Sequence, residues 1–93
     1  MFPIKTETIR ILDSITKLNP PMNEEKIQAL IVVAHGGMRF QWDGSDPTKT
    51  NAMVVRRGDT VKLDNIFEIK LMQMIHDSRY CNCWINVTYF KEE

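Results

Sequence analysis

The sequence predicts an α+β fold: an N-terminal helical hairpin, then a mostly antiparallel sheet of about four strands, with a third helix before the last strand (ααβββαβ). Three observations predict it. Apolar residues recur every three or four positions before Gly36-Gly37, they alternate with polar residues just after it, and they are dense again between Ile66 and His76. The chain has 93 residues, which predicts a single domain over 1–93, with the helical hairpin in 1–35 and the sheet with its helix in 36–93.

The first helix is expected from about Ile4 or Lys5 to Leu18. Its apolar stripe consists of Ile4, Thr8, Ile11, Leu12, Ile15 and Leu18. Asn19-Pro20-Pro21 ends it, because a residue before proline is disfavoured in helical geometry.

The second helix is expected to begin at the N-cap Asn23, with Glu24 and Glu25 in its first turn and Met22 packed on Ile27. Its apolar residues are Ile27, Leu30, Ile31 and Ala34, broadened by Val32 and Val33. Gly36-Gly37 ends it, because glycine readily adopts the positive φ of a helix C-terminus.

The remaining elements follow a different pattern. Met38, Phe40 and Trp42 alternate with polar residues and predict a strand, and a polar loop follows over 43–51. Residues 52–57 read as a second strand, and 60–63 would return as its partner after the turn Gly58-Asp59. Asn65 and Glu68 form a capping-box pattern that opens the third helix, expected from Ile66 to about His76, and residues 80–90 form the last strand.

Charge and hydropathy exclude several classes of protein. Twelve Lys and Arg balance twelve Asp and Glu, so no net field attracts the chain to nucleic acid or to an anionic membrane. The longest apolar run has six residues, and the first ten contain no stretch of signal-peptide length. Cys81 and Cys83 are too close for a useful disulfide, which predicts free thiols in the cytoplasm.

Four residues raise the question of a metal site: His35, His76, Cys81 and Cys83. Zinc prefers cysteines separated by two to four residues, whereas Cys81 and Cys83 are separated by one. The more ordinary interpretation is small thiols packed beneath a sheet. We therefore expect no metal and no other cofactor, although binding of a metal by His76, Cys81 and Cys83 stays open.

Enzymatic motifs are weak. A cysteine nucleophile needs a histidine that a third group orients, and no residue next to His76 is placed to do so. His35-Gly36-Gly37 is similar to an oxyanion loop, but no nucleophile turn accompanies it. The sequence therefore predicts a protein without enzymatic activity.

The expected function is binding of a protein, including another copy of the chain. In the third helix, one face is expected to cover the sheet: Phe67, Leu71, Met74 and Ile75. Ile66, Ile69 and Met72 fall outside that face and are left for another contact, and methionine and tryptophan are frequent at interfaces. The predicted contact residues are Ile69, Met72, Tyr80, Trp84 and Phe90. A small inhibitor or adaptor, such as a phage-type accessory protein, fits this size by analogy.

The alternative is a domain that binds a nucleotide or short nucleic acid. The central strands are mildly basic, with Arg39, Arg56, Arg57 and Lys62 near Phe40 and Trp42. Alternation along the strand places Arg39 and the aromatic rings on opposite faces, which weakens this alternative.

Overall fold

The structure, a computed structural model, describes residues 2–21, 26–48 and 52–91. Its elements in chain order are β1 (Phe2–Ile11), β2 (Thr16–Lys17), β3 (Ile27–His35), β4 (Gly37–Gln41), β5 (Met53–Arg56), β6 (Thr60–Leu63), α1 (Ile66–Leu71), β7 (Gln73–His76) and β8 (Cys83–Lys91). They form a first sheet of strand order β1-β8-β3-β6 and a second sheet of order β2-β7-β4-β5. Every pairing is antiparallel.

The hydrophobic core lies between the two sheets. The first sheet contributes alternate residues of β3 and β8, and the second contributes Met38, Phe40 and Met74. The fold is therefore mainly β, with one short helix, and the predicted α+β class is wrong. No helix of the described ranges is long and apolar enough to span a membrane.

β1 lies where the first helix was predicted. Its more buried side chains alternate, from Lys5 through Glu7 and Ile9 to Ile11, so the side facing the core has a period of two. β-branched residues make up much of this segment: Ile4, Thr6, Thr8, Ile9 and Ile11. Such residues favour a pleated strand, and β8 pairs with nearly the whole of this one. The helical spacing of Ile4 and Thr8 was a coincidence.

β3 lies where the second helix was predicted. It sits inside the first sheet between β8 and β6, and Ile27, Ala29, Ile31 and Val33 face the core. A short apolar run rich in β-branched residues fits a central strand as well as a helix. Here the strand forms because it pairs with β8 on one side and with β6 on the other. The predicted cap at Met22, Asn23, Glu24 and Glu25 lies outside the described residues.

Gly36 makes the tight turn from β3 into β4 instead of ending a helix. Its φ is +71°, in the left-handed region that favours glycine. A Cβ at this position would collide with the backbone carbonyl oxygens of Cys81 and Asn82. The turn thus brings the β3–β4 corner against the segment before β8.

The third helix begins as predicted and ends early. The side chain of Asn65 accepts a hydrogen bond from the Glu68 N–H at 3.0 Å, which confirms the N-cap. The helix ends at Leu71, because Met72 has an extended ψ of 125°, and residues 73–76 form β7. Pairing of β7 with both β4 and β2 outweighs the helical spacing of its apolar residues.

The early end of α1 reverses the predicted burial of its apolar residues. Ile69 and Met72, expected to be left over for a partner, are 0% exposed within the core. Phe67 and Leu71, expected to face the sheet, are 73% and 44% exposed. A helix of six residues buries a narrow stripe, and here that stripe is centred on Ile69.

β5 and β6 were predicted to pair with each other, and they do not. β5 pairs with β4 in the second sheet, whereas β6 pairs with β3 in the first. The turn between them crosses from one sheet to the other, with Gly58 at φ +93° and its N–H donating to the Val33 carbonyl. The turn itself was predicted correctly, but it is a corner of the sandwich and not a hairpin.

Candidate functional site

Four connections meet at one end of the sandwich: residues 12–15, Gly36, residues 57–59 and residues 77–82. We call this the Gly36 end. Backbone hydrogen bonds join them, from His76 N–H to the Leu12 carbonyl at 3.0 Å and from Asp77 N–H to the Gly37 carbonyl at 3.1 Å. Arg57 N–H donates to the Gly36 carbonyl at 2.8 Å. The end is therefore a continuous hydrogen-bonded surface and not a set of separate loops.

Asp77 anchors the segment that follows β7. Its carboxylate is 0% exposed and accepts from Arg79 Nη2 at 2.7 Å and from Arg39 Nη2 at 3.4 Å. The hydrogen bonds from Arg79, together with the charge of Arg39, hold the pKa of this carboxyl well below its usual range despite its burial. Arg39 is thus engaged in a structural ion pair, and only 13% of its side chain is exposed.

His76 joins two of the connections. Its Nε2 lies 3.0 Å from the carbonyl oxygens of both Tyr80 and Cys81, and its Nδ1 lies 3.4 Å from Asp13 Oδ1. These partners raise the pKa of His76, with the Cys81 carbonyl as the largest cause. The imidazolium can donate to both sides at once, which a neutral ring cannot do.

The structure brings His35 next to Cys81, a contact that no sequence pattern predicts. Cys81 Sγ lies 3.7 Å from His35 Nε2, and the thiol is exposed. The pair borders a pocket of about 200 Å³ that is also lined by Gly36, Arg56, Arg57 and Tyr80. Neither guanidinium forms an ion pair with a carboxylate among the described residues, so the pocket carries free positive charge.

The two cysteines differ sharply. Both are free, but Cys83 lies on the core side of β8 and is 0% exposed. Burial raises the pKa of its thiol to about 11. Cys81 is therefore the thiol that a solution reagent can reach.

The four residues that raised the question of a metal site are not assembled around one point. Cys83 lies in the core, and His76 contacts backbone carbonyls instead of the thiols. Within 2–21, 26–48 and 52–91, no group of three or more His, Cys, Asp or Glu side chains is arranged to hold a metal ion. The 3.7 Å contact between His35 and Cys81 is a pair, which is too few ligands for a structural zinc site.

No protein-family model, curated protein or solved structure matches this chain.

The outer face of the first sheet carries two of the predicted contact residues. Trp84 and Phe90 alternate along β8 with buried residues, and Trp84 is 39% exposed. On the neighbouring β3, Leu30 and Val32 are both half-buried and pair with Thr88 and Asn86, between the levels of Phe90 and Trp84. A depression of about 280 Å³ is lined by Gln28, Ala29, Leu30, Lys62 and Phe90. This face therefore carries apolar side chains on β3 and near both ends of β8, with the polar Asn86 and Thr88 between Trp84 and Phe90.

The other predicted contact residues lie elsewhere. Ile69 and Met72 are fully buried and cannot touch a partner, so that part of the prediction is wrong. Tyr80 lies at the Gly36 end, half-buried, with its ring against the backbone of Gly37 and 5.8 Å from the Arg79 guanidinium carbon. The Tyr80 ring thus lies close to Gly37 and Arg79, and it also lines the pocket beside Cys81.

The four basic residues of the alternative interpretation do not form one surface. Arg39 is paired with Asp77, and Lys62 lies on β6 with its Nζ 3.8 Å from Asp64. Only Arg56 and Arg57 line a common pocket. An array of stacking rings beside free cations, as a nucleic acid would need, is not present in the part of the chain that the structure describes.

Three residues of these surfaces were not predicted to lie there. Arg10 lies over the Trp84 ring, with its guanidinium carbon 5.8 Å from the centroid. Leu30 and Val32 belong to the outer face because residues 28, 30 and 32 alternate with the core residues of β3. Reading 27–35 as a strand would have revealed the last two.

Proposed function

We propose that this protein is a non-enzymatic binding protein that contacts another protein through the outer face of its first sheet. The observation that carries the proposal is that Trp84 and Phe90 lie near the two ends of β8 on this face, with Leu30 and Val32 of β3 between their levels. Aromatic residues in partly apolar surroundings supply most of the binding energy in many protein interfaces. Burial of these side chains would drive association.

Charge favours a different protein as the partner over a second copy. The strand positions of this face contain Arg10 and Lys62 and no acidic residue, while Asp64 lies just beyond β6 and pairs with Lys62. No carboxylate among the described residues forms an ion pair with Arg10, which lies over the Trp84 ring. The complementary surface would bring apolar side chains to the centre of the face and a carboxylate to Arg10, which the same face of a second copy does not offer.

The sandwich supports binding better than catalysis. The His35–Cys81 contact has no third group to orient the imidazole, because no partner for His35 Nδ1 is found among the described residues. The alternative of nucleotide binding is weaker on this geometry, since only two of its four basic residues, Arg56 and Arg57, line a common pocket. A protein partner remains the proposal.

Site-specific photo-crosslinking in the producing cell tests this proposal. A photoreactive phenylalanine analogue replaces Asn86, which is exposed on the outer face of β8, and in a matched control it replaces Phe67, which is exposed on α1. We expect the Asn86 position, and not the Phe67 position, to give one adduct with a different polypeptide. An adduct with a second copy of the chain, equal adducts from both positions, or no adduct from Asn86 would contradict the proposal.

A further inference from the structure

We propose that Cys81 is a site of reversible S-thiolation by an anionic low-molecular-weight disulfide of the glutathione type. The inference does not depend on the proposed protein interface. It rests on three features that meet at the Gly36 end: an accessible thiol, an imidazole in contact with it, and a pocket with two free guanidinium groups.

The imidazole of His35 is the acceptor for the proton of the Cys81 thiol. Cys81 Sγ and His35 Nε2 are 3.7 Å apart, within the range of a hydrogen bond to sulfur. The thiolate is the attacking form in thiol–disulfide exchange, so transfer of the proton to His35 activates the sulfur. His76 holds the backbone of the same residue, because its Nε2 lies 3.0 Å from the Cys81 carbonyl oxygen. The thiol is thereby presented from an anchored segment.

The reaction is balanced without any cofactor. Cys81 Sγ gives its proton to His35 Nε2 and attacks one sulfur of the disulfide. The new bond from Sγ to that sulfur forms as the original S–S bond breaks, and the departing thiolate takes the proton from His35. Cys81 is oxidised to a mixed disulfide while the departing half is reduced to a thiol. The external disulfide is the oxidant.

The pocket selects for negative charge. Arg56 and Arg57 line it together with Cys81, and the Asp59 carboxylate accepts from the backbone N–H of Arg56 at 2.9 Å instead of pairing with either guanidinium. Glutathione has more carboxylate than ammonium groups, so its carboxylates can pair with these arginines while its sulfur reaches Sγ. The pocket of about 200 Å³ suits one end of such a molecule and leaves the rest in solvent.

Cys83 provides an internal control. It is two residues away, 0% exposed, and burial raises the pKa of its thiol to about 11. A reagent that modifies the folded protein should therefore add once, at Cys81. A second addition would report unfolding, which exposes Cys83.

Intact-mass spectrometry measures the rate of addition of oxidised glutathione and of a neutral disulfide, bis(2-hydroxyethyl) disulfide. We expect one adduct on the wild-type protein and on Cys83→Ser, and none on Cys81→Ser. The double variant Arg56→Gln/Arg57→Gln should slow glutathione addition about fivefold, since exposed charge pairs contribute modestly, and leave the neutral reagent unaffected. Lys62→Gln, a cation on another surface, is the matched control and should change neither rate.

The role of His35 has a separate readout. His35→Gln should slow both reagents alike, because it removes the proton acceptor and not the anion site. Modification at Cys83 in folded protein would overturn the proposal. So would glutathione addition at the wild-type rate in the double arginine variant, or equal slowing of the charged and neutral reagents by that variant.

Discussion

The guanidinium carbon of Arg10 lies 5.8 Å from the centre of the Trp84 ring, and the two residues are paired across β1 and β8. A cation over an indole face is attracted by the ring quadrupole, so the contact restrains a tryptophan that is 39% exposed. A side chain that is ordered before association loses less conformational entropy when a partner covers it. Trp84 is therefore the residue on this face best prepared to anchor a partner.

The close approach at Gly36 makes a prediction about stability. Gly36→Ala should lower the free energy of unfolding by about 3 kcal/mol, because it combines an unfavourable left-handed φ with a collision against the carbonyl oxygens of Cys81 and Asn82. Gly58→Ala is the matched control. Its φ is +93°, but no atom lies within 4 Å of the added Cβ, so it should cost only about 1 kcal/mol. If urea unfolding shows the same loss of stability in both variants, Gly36 does not lie as close to the carbonyl oxygens of Cys81 and Asn82 as described.

The buried carboxylate of Asp77 leads to a second prediction about stability. Asp77→Asn should destabilise the fold by about 2 kcal/mol, because it removes a charged acceptor from Arg79 and Arg39. The folded pKa of Asp77 is depressed, so its contribution is present above about pH 4 and is lost as the pH falls through the folded value. Urea titrations from pH 7 down to pH 3 measure both effects. The exposed Asp46→Asn should follow the wild type, and a wild-type acid profile in Asp77→Asn would contradict the assignment.

His76 predicts a pH dependence of the opposite sign. Its folded pKa is raised by the Cys81 carbonyl and by Asp13, so protonation stabilises the folded state. This contribution is fully present below the ordinary histidine value of about 6.5 and is lost as the pH rises through the raised value. Unfolding free energies measured from pH 5.5 to 8.5 should fall over that interval in the wild type. His76→Gln should remove this fall, whereas His35→Gln should retain it; a fall that persists in His76→Gln would assign the titration to another group.

The strands that sequence analysis predicted are those with visible alternation or turn signals. Met38 and Phe40 alternate with polar residues in β4, and the Asn65 cap marks the start of α1. The apolar spacings of three and four in β1 and β3 predict helices, although the same spacings also occur in strands that carry apolar residues on both faces. Ile4 and Leu30, for example, point away from the core side of their strands. Only cross-strand pairing with β8 resolves that ambiguity, and pairing is a long-range property.

Less of the candidate site than of the fold could be predicted from the sequence. Trp84 and Phe90 could be assigned to one face of the last strand because alternation in β8 is regular. The contact between His35 and Cys81 could not, because it depends on the Gly36 turn and on the crossing of the chain between two sheets. The wrong length of the third helix also produced the wrong burial of Ile69 and Met72.

The affinity of the crosslinked partner for three proteins tests the central claim most directly: wild type, Trp84→Ala and Phe67→Ala. Calorimetric titration should show a dissociation constant about 30-fold higher for Trp84→Ala, as the loss of an anchor worth about 2 kcal/mol implies, and an unchanged one for Phe67→Ala. The urea midpoint of Trp84→Ala should stay close to that of the wild type, because its indole lies outside the core. Wild-type affinity in Trp84→Ala, or a loss of affinity fully explained by unfolding, would contradict the assignment of this face.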